Sequence, residues 1–187
     1  MTTSPCSDVA ELALTAGARR LSEAGATVPT MNVGRPDMIA GYGIATDAAG
    51  QLPWAWAEER LTAARNYWIC TTRADGRPHA MPVWGLWSDG AVMFSTDSQS
   101  YKGRNLAARP DIVVHLESGD EVVVVEGRAE WVTQAGLPDS FVGDYAEKYG
   151  HTLDVTDPAF GFYRVAPVRV LAWRETDFPT SATRFIF

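Results

Sequence analysis

The densest group of residues able to do chemistry is Ser95-Thr96, followed after Asp97-Ser98-Gln99 by Ser100-Tyr101-Lys102-Gly103-Arg104-Asn105. A strand that leaves into a polar loop and then a helix with Ser100 at its N-cap gathers hydroxyls, free backbone N–H groups, Lys102 and Arg104 at one helix N-terminus. Unpaired N–H groups and the positive end of the helix dipole favour an anion, and a lysine with an arginine can complete a phosphate cradle. Spacing alone leaves a second reading open, in which Ser100 merely caps the helix while Lys102 and Arg104 are solvated, and Asp97 counts against an anion.

A second group is Met81-Pro82-Val83-Trp84, in the middle of a strand-like run. Proline cannot donate to a β-ladder, so the strand must be unpaired or at an edge there, which frees backbone groups to face a flat heterocycle. An ordinary edge strand explains the same residues equally well. The three histidines, His79, His115 and His151, fall on separate elements without ligand spacing, so no metal site is expected. Glu58-Glu59 suits the start of a helix better than acid or base work.

The elements that must position these groups follow from periodicity. Pro53 leads into a short helix with Glu58 and Glu59 early and Arg65 late. Tyr67–Thr72, His79–Trp87 and Ala91–Thr96 read as three strands of an antiparallel meander, joined by turns at Asp75-Gly76 and Asp89-Gly90. A helix over 101–109 ends before Pro110. Two further strands, 111–117 and 121–131, flank Ser118-Gly119-Asp120, and the second is apolar enough at its start to be buried on both faces. Phe141, Tyr145 and Tyr149 share one face of a helix over 137–149. Strand character returns over 163–173, where Pro167 marks a bulge or edge, and again at Phe185-Ile186-Phe187. The expected fold is mainly β, a small closed barrel decorated by helices.

A chain of 187 residues with 46% hydrophobic content can bury one continuous core. The expected organisation is an extension over 1–52, with a short helix from Asp8 to Ser22 and ordered loop around 31–36 and 41–43, followed by one domain over 53–187. A formal net charge of −7 argues against a general nucleic-acid or membrane binder. Cys6 and Cys70 need not pair, and no signal peptide or membrane span is legible, so a reducing cytoplasm is expected.

The runs Arg73-Ala74-Asp75-Gly76-Arg77-Pro78-His79, Pro82-Val83-Trp84 and Ser100–Leu106 with Pro110 resemble the pyridoxamine 5'-phosphate oxidase-like superfamily. His115–Asp120 before Val122–Gly127 is similar to its actinobacterial branch that includes coenzyme F-420 (deazaflavin) dependent reductases. The resemblance covers roughly Trp54 to Gly127. It implies an FMN-binding-type split β-barrel with peripheral helices, assembled as a homodimer with cofactor sites at the subunit interface. It also implies that Ser95, Thr96, Ser100 and Lys102, with Arg104 and Asn105 close by, hold the cofactor phosphate, that His79, Met81, Pro82, Val83 and Trp84 meet the isoalloxazine edge, and that Trp54, Trp56, Tyr149 and Phe185 are candidates to wall a substrate pocket, with ordinary core packing as the competing reading. FMN-using oxidases usually carry arginine near the position of His79 and a basic residue at that of Tyr101. This chain has neither, which shifts the expected cofactor from FMN to F-420.

The expected activity is therefore hydride transfer from reduced F-420 to a small electron-poor organic acceptor. No catalytic side chain is obligatory, because the proton can come from solvent. The alternatives are an FMN-dependent oxidoreductase on the same barrel and a non-catalytic binder of flavin, deazaflavin or haem.

Overall fold

Alternating apolar residues and tight turns build most of the molecule from strands. The computed structural model describes residues 31–157 and 159–187; the expected helix from Asp8 to Ser22 and Cys6 lie outside them. In chain order the elements are β1 (Asn32–Gly34), a 3-10 turn (Ala40–Tyr42), α1 (Trp54–Ala63), β2 (Tyr67–Thr72), β3 (Pro78–Val83), β4 (Gly85–Ser88) and β5 (Ala91–Asp97). Then follow α2 (Tyr101–Ala108), β6 (Asp111–His115), β7 (Glu121–Val132), α3 (Phe141–Tyr149), β8 (Phe160–Arg174), α4 (Phe178–Ser181) and β9 (Thr183–Ile186). The β4–β5 hairpin turns through Asp89 (φ 49°) and Gly90 (φ 69°), the two positive-φ positions that a type I′ turn demands.

All strand pairs are antiparallel, in the order β1-β9-β8-β7-β6-β2-β3, with β5 pairing both β4 and β8. β8 is the branch point of the sheet. One of its edges bonds β7 along its length, while the other bonds β5 over Phe160–Val165 and β9 over Arg169–Ala172. Between these halves the register with β7 slips at Glu126/Gly127, opposite Pro167 and Arg169, which is the bulge that Pro167 foretells.

Several expectations are corrected. Residues 32–34 form a strand rather than a loop, because Val33 pairs with Phe185 across the chain. The described part of the extension is thus built into the sheet, and Leu52 lies in the core. The helix after Pro53 begins at Trp54, so its first turn has no acid and Arg65 falls beyond its end. Arg60, not Arg65, anchors it, pairing with Glu121 of β7 at 2.6 Å. The third helix begins at Phe141, after a 3-10 turn over Gln134–Gly136. The run 79–87 is broken at Trp84 into β3 and β4, which do not pair, so the meander is two separate hairpins. The ladder therefore does not close, and the barrel is split between β3 and β4. β7 buries Val123, Val125 and Ala129 while Val122 and Val124 are half-buried, the alternation of a strand with one interior face.

The barrel interior holds Tyr67, Ile69, Val92, Phe94, Val114, Val125 and Val165, with Leu61 of α1 and Leu106 of α2 packed in. A second, smaller cluster places Phe141 and Tyr145 of α3 against Leu86, Met93 and Phe162 on the outer face of β4, β5 and β8. The two faces of β5 thus serve different compartments: Val92 and Phe94 look inward, Met93 outward. Among the described residues no helix is long and apolar enough to cross a membrane.

Candidate functional site

α2 sits where β5 ends because three contacts hold it there. Ser100 Oγ accepts from the Gly103 N–H at 3.1 Å, the expected N-cap. Thr96 Oγ1 lies 3.1 Å from the same hydroxyl, tying the strand end to the cap. Asn105 Nδ2 donates to Thr71 Oγ1 of β2 at 2.9 Å, and both residues are buried. Gly103 has no room for a side chain: a Cβ there would stand 2.6 Å from the Asp97 carbonyl oxygen and 2.7 Å from that of Ser98. With the Gly103 amide used by the cap, the amides of Tyr101 and Lys102 are the first-turn donors left for a ligand.

Positive charge converges on this terminus. Tyr101, exposed, has the guanidinium carbon of Arg73 5.1 Å from its ring centre and that of Arg104 at 4.9 Å. His79 lies 5.9 Å from the same ring. Burial holds the His79 imidazole below the usual histidine range, and the charges of Arg73 and Lys102 push it the same way. Burial also lowers Lys102, with Asp97 pulling it back up. Two buried nitrogens here, Arg73 Nε and His79 Nδ1, have no hydrogen-bond partner among the described residues. Arg73 Nε is an unsatisfied donor within a cluster of cations, which an anion relieves, while His79 Nδ1 donates or accepts according to its tautomer. Beside Tyr101, a cavity of about 400 Å³ is lined by Arg73, Arg77, Arg104 and Asn105.

The structure therefore brings His79, Thr96, Ser100, Lys102 and Arg104 together, and gives Asn105 the job of fastening α2 to β2. Arg104 also donates to the Gln99 carbonyl. Ser95 goes elsewhere: as the neighbour of Thr96 on a strand, it projects from the opposite face, where the residue lines a cavity with Trp84 and Tyr145 and its Oγ is buried. Met81 and Pro82 are exposed on β3, which pairs only with β2 and so has a free edge, while Val83 turns into the core. Arg73 belongs to the family motif but not to the expected site residues; its place just after β2, before the Asp75-Gly76 turn, is the signal in the sequence that it can reach Tyr101.

The four candidate pocket aromatics are divided. Trp54 meets Phe185 at 5.3 Å and Phe187 at 4.9 Å, and Phe185 is fully buried, so this group is core. Trp56 carries the Arg60 guanidinium 3.7 Å from its ring centre. Tyr149 instead stacks on Trp84, centres 4.7 Å apart and planes 11° from parallel.

A family model described as pyridoxamine 5'-phosphate oxidase matches residues 55–174, more than half of the chain. Among solved structures, a conserved hypothetical protein from Mycobacterium tuberculosis is 25% identical, with a TM-score of 0.58, covering 70% of this chain and 89% of that one. General Stress Protein 26 from Bacillus anthracis is 21% identical with a TM-score of 0.53, over 63% of this chain and 91% of that one. A structure described as an F-420 reductase is 21% identical with a TM-score of 0.50, over 60% and 94%. These likenesses carry the split β-barrel fold. No curated protein matches the chain.

Proposed function

The chain belongs to the pyridoxamine 5'-phosphate oxidase family, and on that premise we propose that it is an oxidoreductase that uses reduced coenzyme F-420 to pass a hydride to a small electron-poor organic acceptor. The observation that carries this reading is the cradle at the start of α2, where buried Arg73 and His79 nitrogens stand without partners beside Lys102 and the Thr96–Ser100 hydroxyl pair. That donor set fits a cofactor phosphate. When bound, the deazaflavin supplies the hydride chemistry. The protein's own residues would bind and orient: Lys102, the first-turn amides and one hydroxyl of the Thr96–Ser100 pair would hold the phosphate, and the free edge of β3 at Met81 and Pro82 would offer backbone groups to a flat ring. Trp84 shields the ring from water, and the proton is drawn from solvent.

A second reading, FMN in the same cradle, is favoured by one observation. Arg73 stacks on Tyr101 and bears on His79, so a guanidinium reaches the region where FMN oxidases carry theirs, although it comes from a different position in the chain. The discriminating experiment is a titration of the apoprotein with F-420 and with FMN, followed by tryptophan fluorescence. Preference for F-420, with consumption of reduced F-420 against a panel of enones and quinones, supports the first reading. A yellow protein with stoichiometric FMN selects the second, and no binding of either overturns both.

Assembly as a homodimer is part of the proposal. The outward face of β2, β6 and β7 supports it: Trp68 stacks on His115 there, and Val113, Val122 and Val124 are half-buried, while Val168 of the neighbouring β8 is 58% exposed. Such a face is more apolar than solvent favours. Sedimentation of the purified chain as a monomer at micromolar concentration would remove this part.

A further inference from the structure

Trp84 stands on the break in the sheet: β3 ends at Val83, β4 begins at Gly85, and no ladder joins the two. No strand pairs with Trp84 among the described residues, and its indole is 42% exposed. A side chain so placed is free to change rotamer unless something outside the strand holds it. Tyr149, in the last turn of α3, does so. It lies parallel to one face of the indole, whereas Tyr145 and His151 meet the ring obliquely, with centres 6.4 and 6.3 Å away.

Tyr149 is anchored at its far end. Its hydroxyl is bonded to the Gly85 backbone and to the Arg65 carbonyl, which lies between α1 and β2. Gly85 itself cannot yield, because it runs so close to β5 that a Cβ would stand 2.6 Å from the Met93 carbonyl oxygen. α3 is fixed in turn by Phe141 and Tyr145, buried against Leu86, Met93 and Phe162. The placement of the indole is thus handed from the barrel through α3 to Tyr149. Trp84 lines the cavity on the outer face of β5, while Tyr149 does not: it touches the indole from behind.

We propose that Tyr149 is a positioning residue for the reaction: it sets the plane of Trp84 and, through Trp84, the orientation of the cofactor ring. This rests on the reading that Trp84 covers that ring. The cradle at the start of α2 holds the phosphate without help from Tyr149, so a loosened indole spares most of the binding and spoils the geometry of hydride transfer. The two ends of the side chain do different things. The ring orients Trp84, while the hydroxyl fastens Gly85 and contributes stability.

The test uses the full chain labelled with 5-fluorotryptophan, the Trp84 fluorine resonance being identified by Trp84→Phe. In the apoprotein, Tyr149→Leu is expected to shift and broaden that resonance while the other tryptophan signals stay in place, and Tyr149→Phe keeps it near its wild-type position. With reduced F-420 and an acceptor, Tyr149→Leu lowers kcat about tenfold or more, while the cofactor Kd and the acceptor KM change about threefold or less. Tyr149→Phe keeps kcat within about threefold of wild type despite the stability lost with the hydroxyl. An unmoved Trp84 signal or an unchanged kcat in Tyr149→Leu overturns the proposal, and so does a fall in kcat as deep in Tyr149→Phe, which a purely structural role would produce. Tyr149→Met takes the place of Tyr149→Leu if the latter does not fold. In the wild type the Trp84 signal moves when cofactor saturates the protein; binding that leaves it unmoved overturns the proposal and spares the cofactor reading. Absence of binding by both F-420 and FMN removes that reading instead, and the apoprotein signal still decides whether Tyr149 sets the plane of Trp84.

Discussion

The phenol of Tyr149 spans the backbone of Gly85. Its oxygen accepts from the Gly85 N–H at 2.9 Å and lies 2.7 Å from the carbonyl oxygens of Gly85 and Arg65, donating to one of them. Lys148 Nζ donates to the same Gly85 carbonyl at 2.9 Å. Gly85 is the first residue after the break at Trp84, where β4 has no strand neighbour on its outer edge. The last turn of α3 therefore satisfies backbone groups that a closed barrel would have paired across the split.

Tyr149→Phe removes that bridge and leaves the buried Gly85 amide without its acceptor. The expected cost is about 1–3 kcal/mol, read as a lower urea midpoint and a melting temperature reduced by several degrees. An unchanged midpoint would mean that the bridge contributes nothing to stability.

Burial pushes the Lys148 ammonium down to about 8 from its ordinary value of 10.5. Between these values the unfolded chain holds the extra proton, so this group makes stability rise with pH across the window. Its unfavourable contribution is present in full below about pH 8. Tyr67 and Tyr145, both raised by burial, oppose the trend only above about pH 10, where unfolded tyrosines ionise. Urea midpoints measured from pH 8 to 9.5 should rise more in the wild type than in Lys148→Met. Parallel curves would show that Lys148 titrates normally.

Two glycines within helices should respond in opposite ways to alanine. At Gly103 the new methyl meets two carbonyl oxygens under 3 Å, so the start of α2 must move off the 97–98 loop. Overpacking of this kind costs about 1–3 kcal/mol, and the cradle loses its shape, so anion affinity falls as well. At Gly143 in α3 a Cβ meets nothing within 4 Å. Gly143→Ala should be neutral or stabilise by up to about 1 kcal/mol. Thermal melts of the two variants side by side decide the matter.

Lys102→Ala should weaken binding of the phosphate-bearing cofactor by tenfold or more, the loss of one charge-assisted hydrogen bond of about 1.5–3 kcal/mol. Lys102→Arg should recover part of it. Equal affinity of wild type and Lys102→Ala, in the same fluorescence titration, would place the phosphate elsewhere.

What the sequence made legible was local. The Ser100 cap and the glycine turns of the hairpins are decided within a few residues, and each was read correctly. The proline at 167 likewise announced its bulge. What stayed hidden depends on distant partners. Asn32–Gly34 becomes a strand only because Ile186 and Phe185 are there to pair with, and the break at Trp84 is permitted only because Tyr149 and Lys148 caulk it. Ser95 and Thr96, read as one group, are parted by the two-residue alternation of a strand once α3 covers the outer face. Phe185 looked available for a pocket because nothing in its neighbourhood reveals that Trp54 and Phe187 enclose it.

The branching of β8 also separates what can vary from what must stay fixed. The terminal strands β1 and β9 hang from its second half, beyond Pro167, whereas β5, which carries the cradle on one side and the aromatic cavity on the other, is attached to its first half. A lengthened or re-routed terminus therefore perturbs one end of a strand whose other end holds the ligands, with a bulge between them to absorb the strain.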